Sequence, residues 1–171
     1  MSVMTSMKRT YYWAVALTVV TALTIMGCAT SQERAERLAR TQQAVNESIA
    51  ARNLKIDITS MSTARYGTRM TSSGFYLKLK GDTLDSYLPY IGQVYQSAVY
   101  PSPQGLNFEE PILSYRETRP KSSYTRIELS AKTQEDRYYF VIDVFDSGRA
   151  MIRVRGERRD PISFDGDCDV P

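Results

Sequence analysis

The chain has 171 residues, of which 42% are hydrophobic and 24% charged, a composition typical of a globular protein. It contains no histidine, which excludes a Ser-His-Asp triad, a Cys-His catalytic pair and a histidine metal site. The length predicts one folded domain after removal of any processed segment, with a core that needs no disulfide or metal.

A signal peptide is predicted at the amino terminus. Lys8 and Arg9 precede an apolar stretch from Tyr11 to Met26. This stretch is shorter than the roughly 20 residues of a membrane-spanning helix but has the length of a signal-peptide core. An uncleaved membrane anchor is the alternative.

The end of this segment, Ile25-Met26-Gly27-Cys28, resembles a bacterial lipobox. The resemblance implies that residues 1–27 are a lipoprotein signal peptide and that Cys28 receives acyl chains such as palmitate. Two or more acyl chains anchor a protein firmly. The expected location is the cell envelope, at the outer membrane, facing either the periplasm or the cell surface.

The net charge and the cysteine content of the processed chain give no sign of a nucleic-acid partner or of a disulfide. Removal of Lys8 and Arg9 leaves 20 of the 22 basic residues and all 19 acidic ones, which gives a net charge of +1. This balance predicts no nucleic-acid partner. Cys168 is the other cysteine and has no intramolecular partner once Cys28 is lipidated. Its position near the terminus favours an incidental thiol over a reactive one.

A helix is predicted between Ala29 and Asn53, a segment rich in alanine, glutamate, arginine and glutamine. Leu38, Val45 and Ile49 form a narrow apolar stripe on one face. The stripe predicts that the second half docks on the following domain. Residues 28–46 are interpreted as a lipidated cysteine with a polar helical tether, and residues 47–171 as a β-rich domain.

From Leu54 onward the apolar residues alternate with a period of two, which is typical of antiparallel strands. Strands are predicted around Ile56–Ile58, Phe75–Leu79, Thr83–Leu88, Ile112–Glu117, Thr125–Ala131, Tyr138–Phe145, Ala150–Val154 and Ile162–Phe164. The expected fold is mainly β, an antiparallel meander of about seven or eight strands, twisted or partly closed into a barrel and preceded by one helix. An open sheet with the helix across it is the alternative.

One long irregular segment, from Pro89 to Pro111, interrupts this pattern, and long loops are often functional. Its aromatic residues have three interpretations: rings buried across one end of the sheet, a ligand cleft at the mouth of a half-closed barrel, or a protein interface. The candidate residues for ligand or partner binding are Tyr87, Tyr90, Tyr95, Tyr100 and Phe108.

Several spaced motifs occur in one order along the chain. They are Ser86–Tyr90 with Gly92 and Tyr95, Gly105–Phe108, Phe145 with Gly148, and Arg159 with Ile162–Phe164 and Gly166. These motifs resemble those of a family of envelope proteins from Bacteroidetes-type bacteria, the domain of unknown function 4251 family. The resemblance covers about Glu47 to Gly166 and implies secretion or an envelope location but no activity.

Charged clusters give no specific site. Arg153 and Arg155 share a strand face, but acids lie among the neighbouring arginines, so a solvated face with ion pairs is favoured over an anion site for this cluster, which includes Arg159. The aspartates of DGDCDV lack the rest of a calcium loop and are interpreted as a polar tail. The pairs Glu109-Glu110 and Glu135-Asp136 define no catalytic geometry. No catalytic residue, metal or cofactor is predicted.

The sequence therefore favours a non-enzymatic, lipid-anchored envelope protein that binds a partner protein or a small apolar or aromatic ligand through the segment from Tyr87 to Phe108. A carboxylate-based envelope hydrolase and a purely structural spacer are the alternatives.

Overall fold

A computed structural model describes residues 31–93, 95 and 105–170. The chain divides into two compact units, Met1–Arg40 and Thr41–Pro171. Of the helices in the described ranges, none has both the length and the apolar character needed to cross a membrane. The signal peptide, Cys28 and Tyr100 lie outside the described residues.

Helix α1 spans residues 31–50 and continues from the first unit into the second. Its second half docks as the apolar stripe predicts, because Val45 and Ile49 are buried in the core. The chain then turns through Arg52, which has a positive φ of 49°. The amide of Asn53 donates to the Ser48 carbonyl at 2.9 Å, a bond typical of a helix end with a left-handed residue. This turn directs the chain into the first strand.

In the described residues that follow the helix there are nine antiparallel strands. They are β1 (Lys55–Thr63), β2 (Gly67–Met70), β3 (Tyr76–Lys80), β4 (Thr83–Pro89), β5 (Gly105–Lys121), β6 (Tyr124–Lys132), β7 (Arg137–Phe145), β8 (Arg149–Gly156) and β9 (Ile162–Cys168).

The sheet closes on itself because β1 pairs with β9, with Ile56 opposite Cys168 and Ile58 opposite Gly166. Eight strands form the closed antiparallel barrel, and β2 is an extra strand paired to the end of β1. The predicted meander is thus confirmed, and it is a barrel and not an open sheet.

The barrel interior is filled by the inward-facing side chains of alternating strand positions. Phe140 and Phe164 are the largest fully buried side chains, and the rest of this layer is mainly leucine and isoleucine. Val45 and Ile49 of α1 belong to the same cluster. Burial of such side chains contributes roughly 1.5–3 kcal/mol each, so the interior explains the stability of the fold.

One strand was not predicted, and two strand predictions were wrong in extent. Strand β2 was not predicted, because its four residues are all exposed and carry no apolar alternation. Strand β9 continues through Cys168, so the aspartates interpreted as a tail belong largely to the barrel wall. Strand β5 begins at Gly105, so the irregular segment is shorter than Pro89 to Pro111.

Pro111 is tolerated within β5 because its backbone nitrogen, which carries no hydrogen, faces a side where β5 has no ladder hydrogen bond. The amide of Ile112 donates to the Asp82 carbonyl at 2.8 Å on the β4 side. Since successive residues of a strand point their amides to opposite sides, position 111 faces β6. Pairing of β5 with β6 begins only at Ile112, so no ladder bond is lost there.

The alternating strand directions give the barrel two ends. The end that carries the β4–β5, β6–β7 and β8–β9 connections is called the loop end, and the end that carries residues 41–54 of the helix and its turn is called the helix end. The described residues of the predicted binding segment, 87–93, 95 and 105–108, lie at the loop end.

Cys168 is buried within β9, and burial, followed by the charge of Asp167, raises the pKa of its thiol to about 12. We expect the folded chain to resist labelling at Cys168 by iodoacetamide at about pH 8, because only the thiolate reacts. Labelling should become complete in denaturant. A Ser73→Cys variant, exposed between β2 and β3, is the reactive control. Equal labelling rates at the two positions would contradict the burial.

Candidate binding site at the loop end

Four of the five predicted binding residues are described, and these four do not lie together in one site. Tyr87 lies on the outer face of β4, 44% exposed, with its ring stacked on Phe75 at a centroid distance of 5.4 Å. Tyr90 and Phe108 pack against the core, whereas Tyr95 is 65% exposed. Tyr100 lies outside the described residues. Tyr90 and Phe108 are therefore partly buried against the core, whereas Tyr87 and Tyr95 are accessible.

The Tyr90 ring folds back over Gly92 and is anchored by its hydroxyl. The hydroxyl oxygen lies 3.0 Å from the Gln93 carbonyl and 3.2 Å from the Asp160 carbonyl, and it can donate to either. A Cβ at position 92 would lie 2.8 Å from Cζ of Tyr90, so only glycine fits beneath the ring. Burial raises the pKa of Tyr90 to about 12, so the phenol stays protonated as a donor.

Asp160 fastens the start of the β4–β5 connection to the β8–β9 connection. Its carboxylate accepts a hydrogen bond from the Tyr95 hydroxyl and another, at 3.2 Å, from the Gln93 amide. The backbone adds a bond from the Asp160 amide to the Gln93 carbonyl at 3.2 Å and one from the Tyr95 amide to the Arg158 carbonyl at 2.8 Å. The accessible Tyr95 ring is therefore held in a defined place.

This contact should depend on pH. The Tyr95 hydroxyl, the Gln93 amide and then the charge of Arg65 hold the pKa of Asp160 below its usual value, which is about 3.9. A lowered native pKa means that the contact contributes stability above that value and loses it as the pH falls through the native pKa. We expect NMR signals of the Tyr95 ring to shift on acidification below about pH 4. An Asp160→Asn variant should lack this transition, and its persistence there would contradict the assignment.

A side opening lies between β5 and the β6–β7 turn. Residues 105–110 pair with β4, but β6 joins β5 only from Ile112 opposite Ala131. The gap forms a cavity of about 210 Å³. Its lining residues are Gly105, Leu106, Asn107, Phe108, Glu110, Thr133, Gln134, Glu135 and Tyr138.

Aromatic rings form one wall of this cavity. Phe108 stacks on Tyr138 with a centroid distance of 5.3 Å and an interplanar angle of 7°, and it meets Phe140 edge-on at 6.3 Å. Burial raises the pKa of Tyr138 to about 12. The cavity thus offers a flat apolar wall together with the carboxylates of Glu110 and Glu135.

A buried arginine lies behind the cavity wall. Arg159 is 5% exposed, and its Nη2 donates to Oε2 of Glu135 at 2.5 Å. Its guanidinium carbon lies 5.2 Å from the ring centroid of Tyr90 and 6.0 Å from that of Tyr138. Among residues 31–93, 95 and 105–170, Nη1 has no hydrogen-bond partner, and the two rings stabilise the guanidinium through cation–π contacts. The solvated face predicted for this arginine cluster is therefore wrong for Arg159.

Asp136 joins the β6–β7 turn to the β8–β9 connection. Its buried carboxylate accepts backbone hydrogen bonds from Arg137 at 2.8 Å, Glu157 at 3.0 Å and Arg158 at 3.1 Å. The turn itself closes through Thr133, whose hydroxyl oxygen accepts the amides of Glu135 and Asp136 at 3.1 Å each. These hydrogen bonds hold in place the β6–β7 turn, which carries Glu135, and the β8–β9 connection, which carries Arg159.

Sequence reasoning missed this arrangement. The sequence analysis assigned no role to the pair Glu135-Asp136, although both side chains bond to groups of the β8–β9 connection. The sequence signal was the family motif that contains Arg159, an arginine followed by an apolar strand. The burial of Arg159 depends on Tyr90 and Glu135, which are remote in sequence.

The aspartates near the carboxyl terminus pair with protein groups. Asp165 accepts a hydrogen bond from the Ser60 hydroxyl at 3.0 Å, and Asp169 accepts one from Lys55 at 2.9 Å. Among residues 31–93, 95 and 105–170, no group of three or more aspartate, glutamate or cysteine side chains is arranged to hold a metal ion.

The fold and site together define a small closed antiparallel barrel with a helix at one end and a narrow aromatic cavity at the other. The pattern of the family described as Domain of unknown function (DUF4251) matches residues 36–168, and the chain belongs to this family. A search of curated proteins found no match.

A solved structure supports the fold. The crystal structure of a DUF4251 family protein from Bacteroides eggerthii is similar, with a TM-score of 0.58 and 8% sequence identity. The similarity covers 75% of this chain and 86% of that chain. At this identity it bears on the fold alone.

Proposed function

We propose that this protein is a non-enzymatic, lipid-anchored protein of the bacterial cell envelope that binds a small apolar or aromatic ligand in the loop-end cavity. The observation that carries the proposal is the cavity beside the Phe108–Tyr138 stack, where the β5–β6 ladder is interrupted. Ligand sites are commonly apolar hollows at the mouths of barrels, with a few polar groups that orient the ligand.

The volume limits the ligand. A cavity of about 210 Å³ is smaller than the roughly 300–1,000 Å³ of sites for drug-sized molecules. An apolar cavity of about 150 Å³ is enough to bind benzene. The ligand, or the part of it that enters, is therefore expected to be one ring or a short aliphatic group. Stacking on Phe108 would stabilise a flat ring.

Lipid attachment at Cys28 is part of the proposal and has its own test. We expect a Cys28→Ala variant to leave the membrane fraction or to accumulate as an unprocessed precursor, because the residue that carries the acyl chains is missing. Fractionation with mass analysis of the mature amino terminus measures this. A Cys168→Ala variant, which keeps the lipobox, should fractionate like the wild type. Normal processing and membrane retention of Cys28→Ala would overturn the anchor.

Ligand binding is tested by native mass spectrometry of the full chain, purified in mild detergent from its own envelope extract. We expect a reproducible added mass that disappears on denaturation. A Glu110→Trp variant, which fills the cavity from its β5 wall, should lose that mass. The matched Glu109→Trp variant carries the same substitution at the neighbouring exposed position and should keep it. A bare mass for the wild type, or equal loss in both variants, would overturn the ligand proposal.

A protein partner is the second candidate, and the exposed rings at Tyr87 and Tyr95 favour it. Tyrosine is enriched at the centres of protein interfaces. Substituting Tyr87 and Tyr95 by serine should abolish such binding. It should lower the thermal midpoint only modestly, because the variant loses the stack on Phe75 and the hydrogen bond to Asp160 but no buried ring. Crosslinking in intact cells, compared between wild type and this variant, is the measurement. An unchanged crosslinking pattern would argue against this candidate.

A further inference from the structure

A second, polar pocket lies on the other side of the β6–β7 turn. Its volume is about 340 Å³. The turn separates it from the aromatic cavity, and the two share only turn residues. Its lining residues are Lys132, Thr133, Gln134, Glu135, Asp136, Arg137, Glu157 and Arg158.

Two cations of this pocket are placed against each other by the sheet. Lys132 of β6 and Arg137 of β7 are direct cross-strand partners. Like charges at such positions are destabilising. Both side chains are exposed, and neither forms an ion pair with a described carboxylate. A pair of like charges that lowers stability and makes no compensating contact is typical of a functional site.

A third cation is held over the same pocket. Nη1 of Arg158 donates to the Glu135 carbonyl at 3.1 Å, which fixes one end of the guanidinium. Its remaining donors have no acceptor among the described residues. Arg155 is exposed on the adjoining outer face and adds positive charge beside the pocket.

The acidic residues of the pocket compensate this charge only in part. Glu135 is paired with Arg159, and the Asp136 carboxylate accepts three backbone amides. Glu157 is the exposed acid of the lining. With Arg159 counted, four cations lie near the three carboxylates of Glu135, Asp136 and Glu157, a net charge of +1. The exposed part of the lining has three cations and one carboxylate, so this exposed surface attracts anions.

We propose that this pocket binds the phosphate group of a small molecule, with Lys132, Arg137 and Arg158 as its donors. Arginine presents paired N–H donors that match a phosphate, and lysine adds a compact charge. Three cations suit a dianion better than a single carboxylate does. The volume beyond the phosphate leaves room for a group about the size of one sugar. The site is independent of the aromatic cavity.

The test is a titration of the full chain in mild detergent, followed by NMR at constant ionic strength. The probes are inorganic phosphate, glucose 1-phosphate and a hepta-aspartate peptide, with sodium chloride as the reference. We expect saturable shifts of the amides of residues 132–137 and 157–158 with both phosphate probes. Tighter binding of glucose 1-phosphate would identify a sugar phosphate as the source, and equal binding would identify free phosphate.

Matched variants separate this site from general electrostatics. A Lys132→Gln and Arg137→Gln double variant should raise the Kd for phosphate at least about tenfold, because it removes two charge-assisted contacts. It should fold with an unchanged or higher thermal midpoint, since it removes a repulsion. An Arg69→Gln and Lys121→Gln double variant loses the same charge at exposed positions outside the pocket and should bind normally.

Three results would overturn the proposal. The first is shifts that do not saturate, or that sodium chloride reproduces. The second is equal weakening in both double variants. The third is binding of hepta-aspartate without binding of either phosphate probe, which would assign the surface to an acidic protein segment. If Glu110→Trp loses the aromatic-cavity ligand but still binds phosphate, the two sites are independent of each other.

Discussion

Replacing Glu135 by alanine is expected to lower the free energy of unfolding by about 3–5 kcal/mol, the usual cost of removing one partner of a buried ion pair. The Arg159 side chain is only 3% exposed, and its Nη2 donates a hydrogen bond to the Glu135 carboxylate. Since Nη1 has no acceptor in the part of the chain that the structure describes, the variant would leave a buried guanidinium without its carboxylate partner, beside the Tyr90 and Tyr138 rings. Thermal or urea unfolding measures the loss, on the order of 10 °C in midpoint.

Three further variants serve as controls for this result. Glu157→Ala, at an exposed position of the same end, should change stability by less than about 0.5 kcal/mol. Glu135→Gln keeps an acceptor for Nη2 and should fall between the two. The double variant Glu135→Leu with Arg159→Met removes both charges and should recover most of the stability. A Glu135→Ala variant as stable as Glu157→Ala would show that the ion pair does not support the loop end.

The strands whose inner faces are continuously apolar could be predicted from sequence. In β6, β7 and β8, every second residue is buried, and the period of two is visible in one chain. Strand β5 was predicted to begin later, because residues 105–111 contain glutamates and a proline. There the strand borders a cavity on one side, so it tolerates residues that a fully paired strand would exclude.

The candidate site was only partly predictable because its parts are remote in sequence. A tyrosine-rich segment identifies aromatic side chains but not which of them are buried. Tyr90 is covered because the β8–β9 connection supplies the Asp160 carbonyl and Arg159. Tyr95 is close in sequence, yet it stays exposed because its hydroxyl reaches an accessible carboxylate. Such differences arise from tertiary contacts that neither composition nor periodicity records.

Closure of the barrel is expected to fail in a Gly166→Ala variant. Gly166 of β9 lies inside the barrel opposite Ile58 of β1. A Cβ at this position would collide with the Asp57 carbonyl oxygen and lie 3.0 Å from Cγ2 of Ile56. Backbone cannot yield as a side chain can, so β1 and β9 must separate at the seam. Overpacking of a core costs about 1–3 kcal/mol, and we expect at least the upper part of that range.

Hydrogen exchange separates seam opening from general destabilisation. In Gly166→Ala, the amides of β1 and β9 that bond across the seam should lose protection before those of β6 and β7, which do not contact it. Ser163→Ala, a small change at a partly exposed position of the same strand, should keep the wild-type pattern. Uniform loss of protection in all strands would show that the seam is not the weak point. Wild-type stability would show that the β1–β9 pairing accommodates a side chain.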